Sequence, residues 1–333
     1  MHFLQRKLIT IILVLVSFSV SFAQEIDGNK LLKHLEYLSS DELEGRKPLS
    51  KGSNLAQKYI LQELTSLDLV APLYPGFIQK FSFENRRAKM MVVDAANIVA
   101  FIPGESSKKV IVVTAHYDHV GIGIPNAVGD SIFNGADDNA SGTAALLVLA
   151  EYFSKNRPQH GMIFAAVDAE EMGLQGAKAL VNDFPYPLDQ ILLNVNMDML
   201  SRSEAKEVYV SGTHYYPQFK PILEKVPGEA NSNLRFGHDV PGTGAEDWTR
   251  SSDHGAFYEK KVPHLYFGVE DHVDYHQVSD SFAGIHPAFY QGTVRLILKS
   301  ILALDAALLE KPQAFKTNSL FFLWHKLTSL PTS

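Results

Sequence analysis

Three short and almost wholly apolar runs constrain this chain most: VIVVTAH, MIFAAVDAEE and ILLNVNMD, each closing on acidic or histidine residues. Apolar runs rich in Val, Ile and Leu are what strands buried on both faces look like. Helical patterns at Ser141–Asn156 and near Gln175–Asp183 separate them. Strands at Val110–Ala115, Met162–Val167 and Gln190–Met197 that alternate with helices predict an α/β protein: a three-layer α/β/α sandwich with a mostly parallel central sheet. In such a sheet ligands bind outside the carboxyl ends of the strands. The residues that close the runs therefore meet on one rim.

The rest of the chain fits that frame. Asn29 to Leu69 reads as two helices separated by SSDELEGRKPLSKGS, and Gln79 to Ile102 as paired strands ending in a turn. Further strands are expected at Val208–Ser211 and His264–Phe267, and a closing helix from Pro287 to Leu309. The tail after Lys311 has no period that assigns it. With no internal repeat or linker in view, residues 24–333 are expected to form one domain.

The run ends carry the chemistry. His116 and Asp118, two apart on extended backbone, share a face, so the carboxylate can hold one ring nitrogen while the other binds metal. His119 beside them reads as lining the site rather than as a ligand. Asp138 lies in NGADDNASG, where Asp137, Asp138 and Asn139 also read as helix-capping residues. Glu170 and Glu171 end their strand side by side, so one can bind metal while the other stays free as a general base. Asp198 lies between Met197 and Met199, where a carboxylate is costly to bury unless paired or metal-bound. His276, in DYHQVSD, would by itself pass for a structural histidine. Two histidines and several carboxylates on one rim suit zinc, and a chain of 333 residues without Cys must hold it through nitrogen and oxygen.

The first 23 residues read as a signal peptide: Arg6 and Lys7, an apolar stretch from Leu8 to Val20, then Ser21-Phe22-Ala23. The apolar stretch is shorter than the roughly 20 residues of a spanning helix, and no Cys follows to carry a lipid. A periplasmic or extracellular location follows, with no membrane contact after cleavage. The formal charge of −7, two units more negative without the leader, argues against nucleic acid as a partner. Nothing in the sequence sets the oligomeric state.

Taken in order, SSDELEGR, NIVAFIPG, TAHYDHVG, NGADDNASG, DAEEMGLQGA, NMDM, SSDHGAF and DYHQVSDSF resemble the M28 zinc metallopeptidases of the two-zinc bacterial aminopeptidase type. The match runs from about Leu38 to Phe282 and departs at GRKPLSKGS, which touches no catalytic group. The resemblance implies a phosphorylase/hydrolase-like zinc exopeptidase fold and two zinc ions per chain. It implies that Asp138 bridges them, with His116 and Asp198 on one and Glu171 and His276 on the other. Glu170 would be the general base, Tyr275 would help hold the tetrahedral intermediate, Asp118 would partner His116, and a cis peptide would follow Asp138. The activity implied is removal of N-terminal residues from peptides with a free N-terminus, through a two-zinc-activated water. Carboxypeptidase or dipeptidase action, glutaminyl cyclisation (which uses one zinc) and a non-catalytic binding protein are the alternatives. Asp253 and His254 match a family motif without a ligand role. Trp248, Phe257, Tyr258 and Phe267 are candidates for an apolar pocket wall, or for core.

Overall fold

The computed structural model describes residues 26–85 and 88–309. The expected leader and the tail after Lys311 lie outside them. In chain order the helices and strands are α1 (Gly28–Leu38), α2 (Lys51–Thr65), β1 (Ala71–Pro72), β2 (Ile78–Asn85), β3 (Met90–Ile102), β4 (Val110–His116), β5 (Gly121–Ile122) and β6 (Ile132–Phe133). There follow α3 (Gly142–Lys155), β7 (Gly161–Val167), α4 (Gln175–Asn182), β8 (Ile191–Met197) and β9 (Glu207–Ser211). The last are α5 (Lys220–Leu223), β10 (Asn233–Phe236), α6 (His254–Glu259), β11 (His264–Gly268) and α7 (Pro287–Ala307).

The main sheet runs in the order β1-β3-β7-β4-β8-β11-β9-β10, with β2 on the edge of β3. Its centre, β7-β4-β8-β11, is parallel throughout. Antiparallel joins appear further out, at β3 with β7 and at β11 with β9, so the expected parallel character holds for the centre and gives way on both sides.

Every residue of β4 and β7 is buried. Successive side chains on a strand point to opposite faces, and the two faces meet different cores. Ile111, Val113 and Ala115, with Met162, Phe164 and Ala166, pack into a core shared with α1, α2, α3 and α7. Val110, Val112, Ile163, Ala165 and Val167 pack instead with Ala177 and Leu180 of α4 and with Phe257 of α6. Helices on both faces complete the three layers. The outer helices are amphipathic: α1 buries Leu31, His34, Leu35 and Leu38, one side of a 3.6-residue period, and Asp27 caps it by accepting from the N–H groups of Asn29 and Lys30. Among the described residues no helix is long and apolar enough to cross a membrane.

Candidate metal centre

The parallel centre places the functional side chains. β4 ends on His116, β7 is followed by Asp168 to Glu171, β8 by Asp198, and β11 by the loop carrying Tyr275 and His276. These four strands are neighbours and point the same way, so their ends share one rim.

Asp138 comes from elsewhere, the tight turn Ala136–Ser141 ahead of α3. The peptide bond from Asp138 to Asn139 is cis. The Asp280 carboxylate accepts the backbone N–H groups of Asp137, at 2.9 Å, and of Asp138, at 3.1 Å, which pins the turn from below. Asp137 accepts from Ser201 N and Oγ, and Asn139 accepts the N–H of Gly142, the first residue of α3. The capping reading therefore holds for Asn139. The Asp138 side chain faces the rim.

Its two oxygens look towards different partners. Asp138 Oδ1 lies 3.4 Å from His116 Nε2, which is 3.2 Å from Asp198 Oδ1. Asp138 Oδ2 lies 3.0 Å from His276 Nε2, which is 3.3 Å from Glu171 Oε2. Two donor groups able to hold a metal ion result: His116, Asp138 and Asp198, and His119, Asp138, Glu171 and His276. Ligands about 2.1 Å from a tetrahedral zinc stand about 3.4 Å apart, so these spacings suit such an ion with little rearrangement. The electrostatics agree. Hydrogen bonds to Asp138 and Glu171 push His276 up to about 10. Burial alone would raise the Glu171 carboxyl, but hydrogen bonds from His119 and His276 hold it well below the usual range. The carboxylates thus draw positive charge inward, the role a dication would fill.

Glu170 belongs to neither group. It lines a cavity of about 170 Å³ together with Asp138, Asp198, Trp248, Tyr275 and His276. Loss of hydration pushes its carboxyl well up, opposed by His116 and reinforced by the acids nearby. Tyr275 stacks on His276 with ring centroids 4.0 Å apart, and burial pushes its phenol up, so it stays protonated. Asp118 has a second task beside His116. Its Oδ1 is 3.6 Å from His116 Nδ1, while its carboxylate accepts the backbone N–H groups of Glu170 and Glu171. Asp253 is buried nearby with neither oxygen hydrogen-bonded, and burial pushes it up to about 8, towards the neutral form. Of the four aromatic candidates for the wall, Trp248 lines the cavity, whereas Phe257 and Phe267 lie in the two cores. Tyr258 packs against Tyr215 and His264 instead.

Three residues of this architecture had no assigned part in the sequence reading: Arg46, Asp280 and, as more than lining, His119. Arg46 and Asp280 act on backbone atoms, which leave no pattern in a sequence. Arg46 is fully buried and donates to the carbonyls of Leu38, Tyr117, Asn134 and Gly135, tying the loop after β4 to the turn that carries Asp138.

Known proteins share this architecture. A crystal structure of a leucine aminopeptidase precursor from Bacteroides thetaiotaomicron superposes with a TM-score of 0.66 at 16% identity, covering 84% of this chain and 98% of that one. A glutaminyl cyclase from the same organism gives 0.67 at 17% identity, again over 84% and 98%. At these identities the likeness is one of fold. In sequence, a probable zinc metalloprotease of Leptosphaeria maculans is 36% identical over 112 residues, 33% of this chain and 26% of the relative. The chain thus spans about a quarter of that relative's length. The profile of peptidase family M28 matches residues 97–301, well over half of the chain and every residue of the two donor groups, and the chain belongs to that family.

Proposed function

We propose that this protein is a zinc-dependent aminopeptidase that binds two zinc ions, one in each donor group, and acts as a single domain outside the cytoplasm, in the periplasm or the medium. The observation that carries the reading is Asp138, whose two oxygens face two separate groups of nitrogen and oxygen donors while a further carboxylate, Glu170, stands outside both groups beside them. His116 and Asp198 would complete one ion's ligands, and Glu171 and His276 the other's. When bound, zinc supplies Lewis-acid polarisation of a peptide carbonyl and lowers the pKa of water towards neutrality.

The chain's own groups do the rest. Glu170, unligated and at the cavity wall, takes a proton from the attacking water and returns it to the departing amine. Loss of hydration raises its carboxyl, and a less acidic carboxyl is the better proton acceptor once ionised and returns the proton more readily. The protonated Tyr275 hydroxyl, at the wall of the same cavity, would donate to the oxyanion of the tetrahedral intermediate. Glu246 and Asp271 line the same cavity, whose acidic wall suits a free terminal ammonium. The fold does not distinguish this activity from glutaminyl cyclisation, since both kinds of neighbour superpose equally well. A cyclase, however, would need only one of the two donor groups.

The test is mass spectrometry of a pool of free, N-acetylated and Gln-initiated peptides after incubation with the zinc-loaded protein. Stepwise loss from the N-terminus of free peptides only, stopped by a chelator, is the expected result. Shortening from the C-terminus, or loss of ammonia from Gln peptides, would reject the aminopeptidase and keep the metal site. No change in any peptide would leave a binding protein as the better reading.

A further inference from the structure

We propose that His119 is a positioning residue for Glu171, donating its Nδ1–H to Glu171 Oε1 and thereby aiming Oε2 at the donor group formed with Asp138 and His276. The assignment rests on the two-zinc reading above. His119 Nδ1 is 2.8 Å from Glu171 Oε1, a hydrogen-bond distance, and 3.7 Å from Asp138 Oδ2, which is not one. The other oxygen of Glu171 is the one that faces His276, at 3.3 Å. The two oxygens are thus divided between a ring N–H and the metal position.

The alternative role, ligation through Nδ1, fails on the other nitrogen. His119 is fully buried, and its Nε2 has no hydrogen-bond partner. A neutral imidazole carries one proton. With that proton on Nδ1, Nε2 is a bare lone pair and the bond to Glu171 is made. With Nδ1 bound to a metal, the proton moves to Nε2 and becomes a buried donor with no acceptor. A ligating histidine normally has such an acceptor behind it, as His116 has in Asp118. Of the two tautomers, only the one that donates to Glu171 leaves no buried N–H unpaired.

The backbone makes room for this ring. Gly135 has φ +55°, and a Cβ there would stand 2.6 Å from His119 Cδ2 and 2.2 Å from the carbonyl oxygen of Asp138. The same glycine therefore admits both the imidazole and the turn that carries Asp138. On its other side the ring meets His276 edge-on, with centroids 5.7 Å apart. Packed in this way, the ring is fixed with Nδ1 towards Glu171.

The experiment is zinc titration of the metal-free full chain against a chromophoric chelator, for the native protein, His119→Ala and His119→Asn. The native protein is expected to take up two zinc ions. His119→Ala should weaken one of them by about 10- to 100-fold, the range for loss of a partner behind a ligand, and leave the other unchanged. His119→Asn keeps an N–H donor near the Nδ1 position and should recover most of the loss. Its cobalt-substituted form should keep the native visible spectrum, because no ligand has changed. Equal affinity of His119→Ala and native protein for both ions would overturn the proposal. So would failure of His119→Asn to recover, together with a shifted cobalt spectrum, which would make His119 a ligand. Circular dichroism of each variant separates these outcomes from loss of folding. Uptake of fewer than two zinc ions by the native protein would remove the two-zinc reading itself, and this assignment with it.

Discussion

The carboxylate of Asp118 accepts the backbone N–H of Glu170 at 3.0 Å, and that of Glu171 at 3.3 Å, while standing 3.6 Å from His116 Nδ1. One aspartate thus ties the end of β4 to the turn after β7, and so a metal-ligand candidate to the proposed base. Asp118→Asn would present an amide to two N–H groups and could accept only one of them. A fall of about 10- to 100-fold in kcat is expected, the scale for lost support behind a metal ligand, with a smaller change in KM. Steady-state kinetics on a peptide with a free N-terminus checks it. An unchanged kcat would show that the turn holds its position without Asp118.

Arg46 makes the corresponding prediction for stability. Its guanidinium is buried, donates to four backbone carbonyls and makes no salt bridge among the described residues. Burial pushes it down to about 10, opposed by the field of Asp138, Asp280, Asp118 and Glu171, so it remains charged at neutral pH. Arg46→Met would leave the carbonyls of Leu38, Tyr117 and Asn134 without this donor, Gly135 keeping the N–H of Ala140, and the acids without their nearby cation. A loss of about 3 kcal/mol or more is expected, at roughly 1–3 kcal/mol for each buried carbonyl left unpaired, read from urea denaturation. Arg46→Lys should recover only part, because a point charge cannot reach the same fork of acceptors.

The central strands were legible because β4, β7 and β8 are buried on both faces, which removes the alternation an exposed strand would show. Their ends carry polar side chains in a sequence that is otherwise apolar there, so the rim could be read with them. β10, the β5–β6 hairpin and the short α5 and α6 carried no such signal, being too short or too exposed for a periodic pattern. Within the site, side chains that meet other side chains could be guessed from residue type and place. The work of Arg46 and Asp280 could not, since both bond the main chain. His119 reads from the sequence as lining the site, and its hydrogen bond to Glu171 leaves no signal there, since a sequence does not say which ring nitrogen faces inward.

Glu170 tests the division of labour between base and ligands. It lies outside both donor groups. Glu170→Gln should therefore keep both zinc ions, by metal analysis after dialysis, and lose turnover by the roughly 10²–10⁴-fold that general acid–base catalysis contributes. Retained turnover would remove Glu170 from the mechanism. Loss of zinc would instead place it among the ligands.

A last prediction concerns His34, on α1 far along the sequence from the rim residues. Burial, assisted by the charge of Lys30, pushes it down to about 4 from an ordinary value near 6.5. The neutral ring shares a hydrogen bond of 2.7 Å between Nδ1 and the Tyr59 hydroxyl, and that phenol, pushed up to about 12, keeps its proton. Between these values the unfolded chain binds a proton that the folded one refuses, so folding stability falls as pH drops from 6.5 towards 4. Above 6.5 the full contribution is present. At pH 5 the loss from this one group should be about 2 kcal/mol, at 1.36 kcal/mol per pH unit. His34→Asn keeps a hydrogen-bonding atom near the Nδ1 position for Tyr59 but does not titrate. The difference in unfolding free energy between native protein and variant, measured in urea at pH 7 and pH 5, should therefore move by that amount in the variant's favour on acidification. An unchanged difference would mean that His34 protonates as readily in the folded protein as in the unfolded chain.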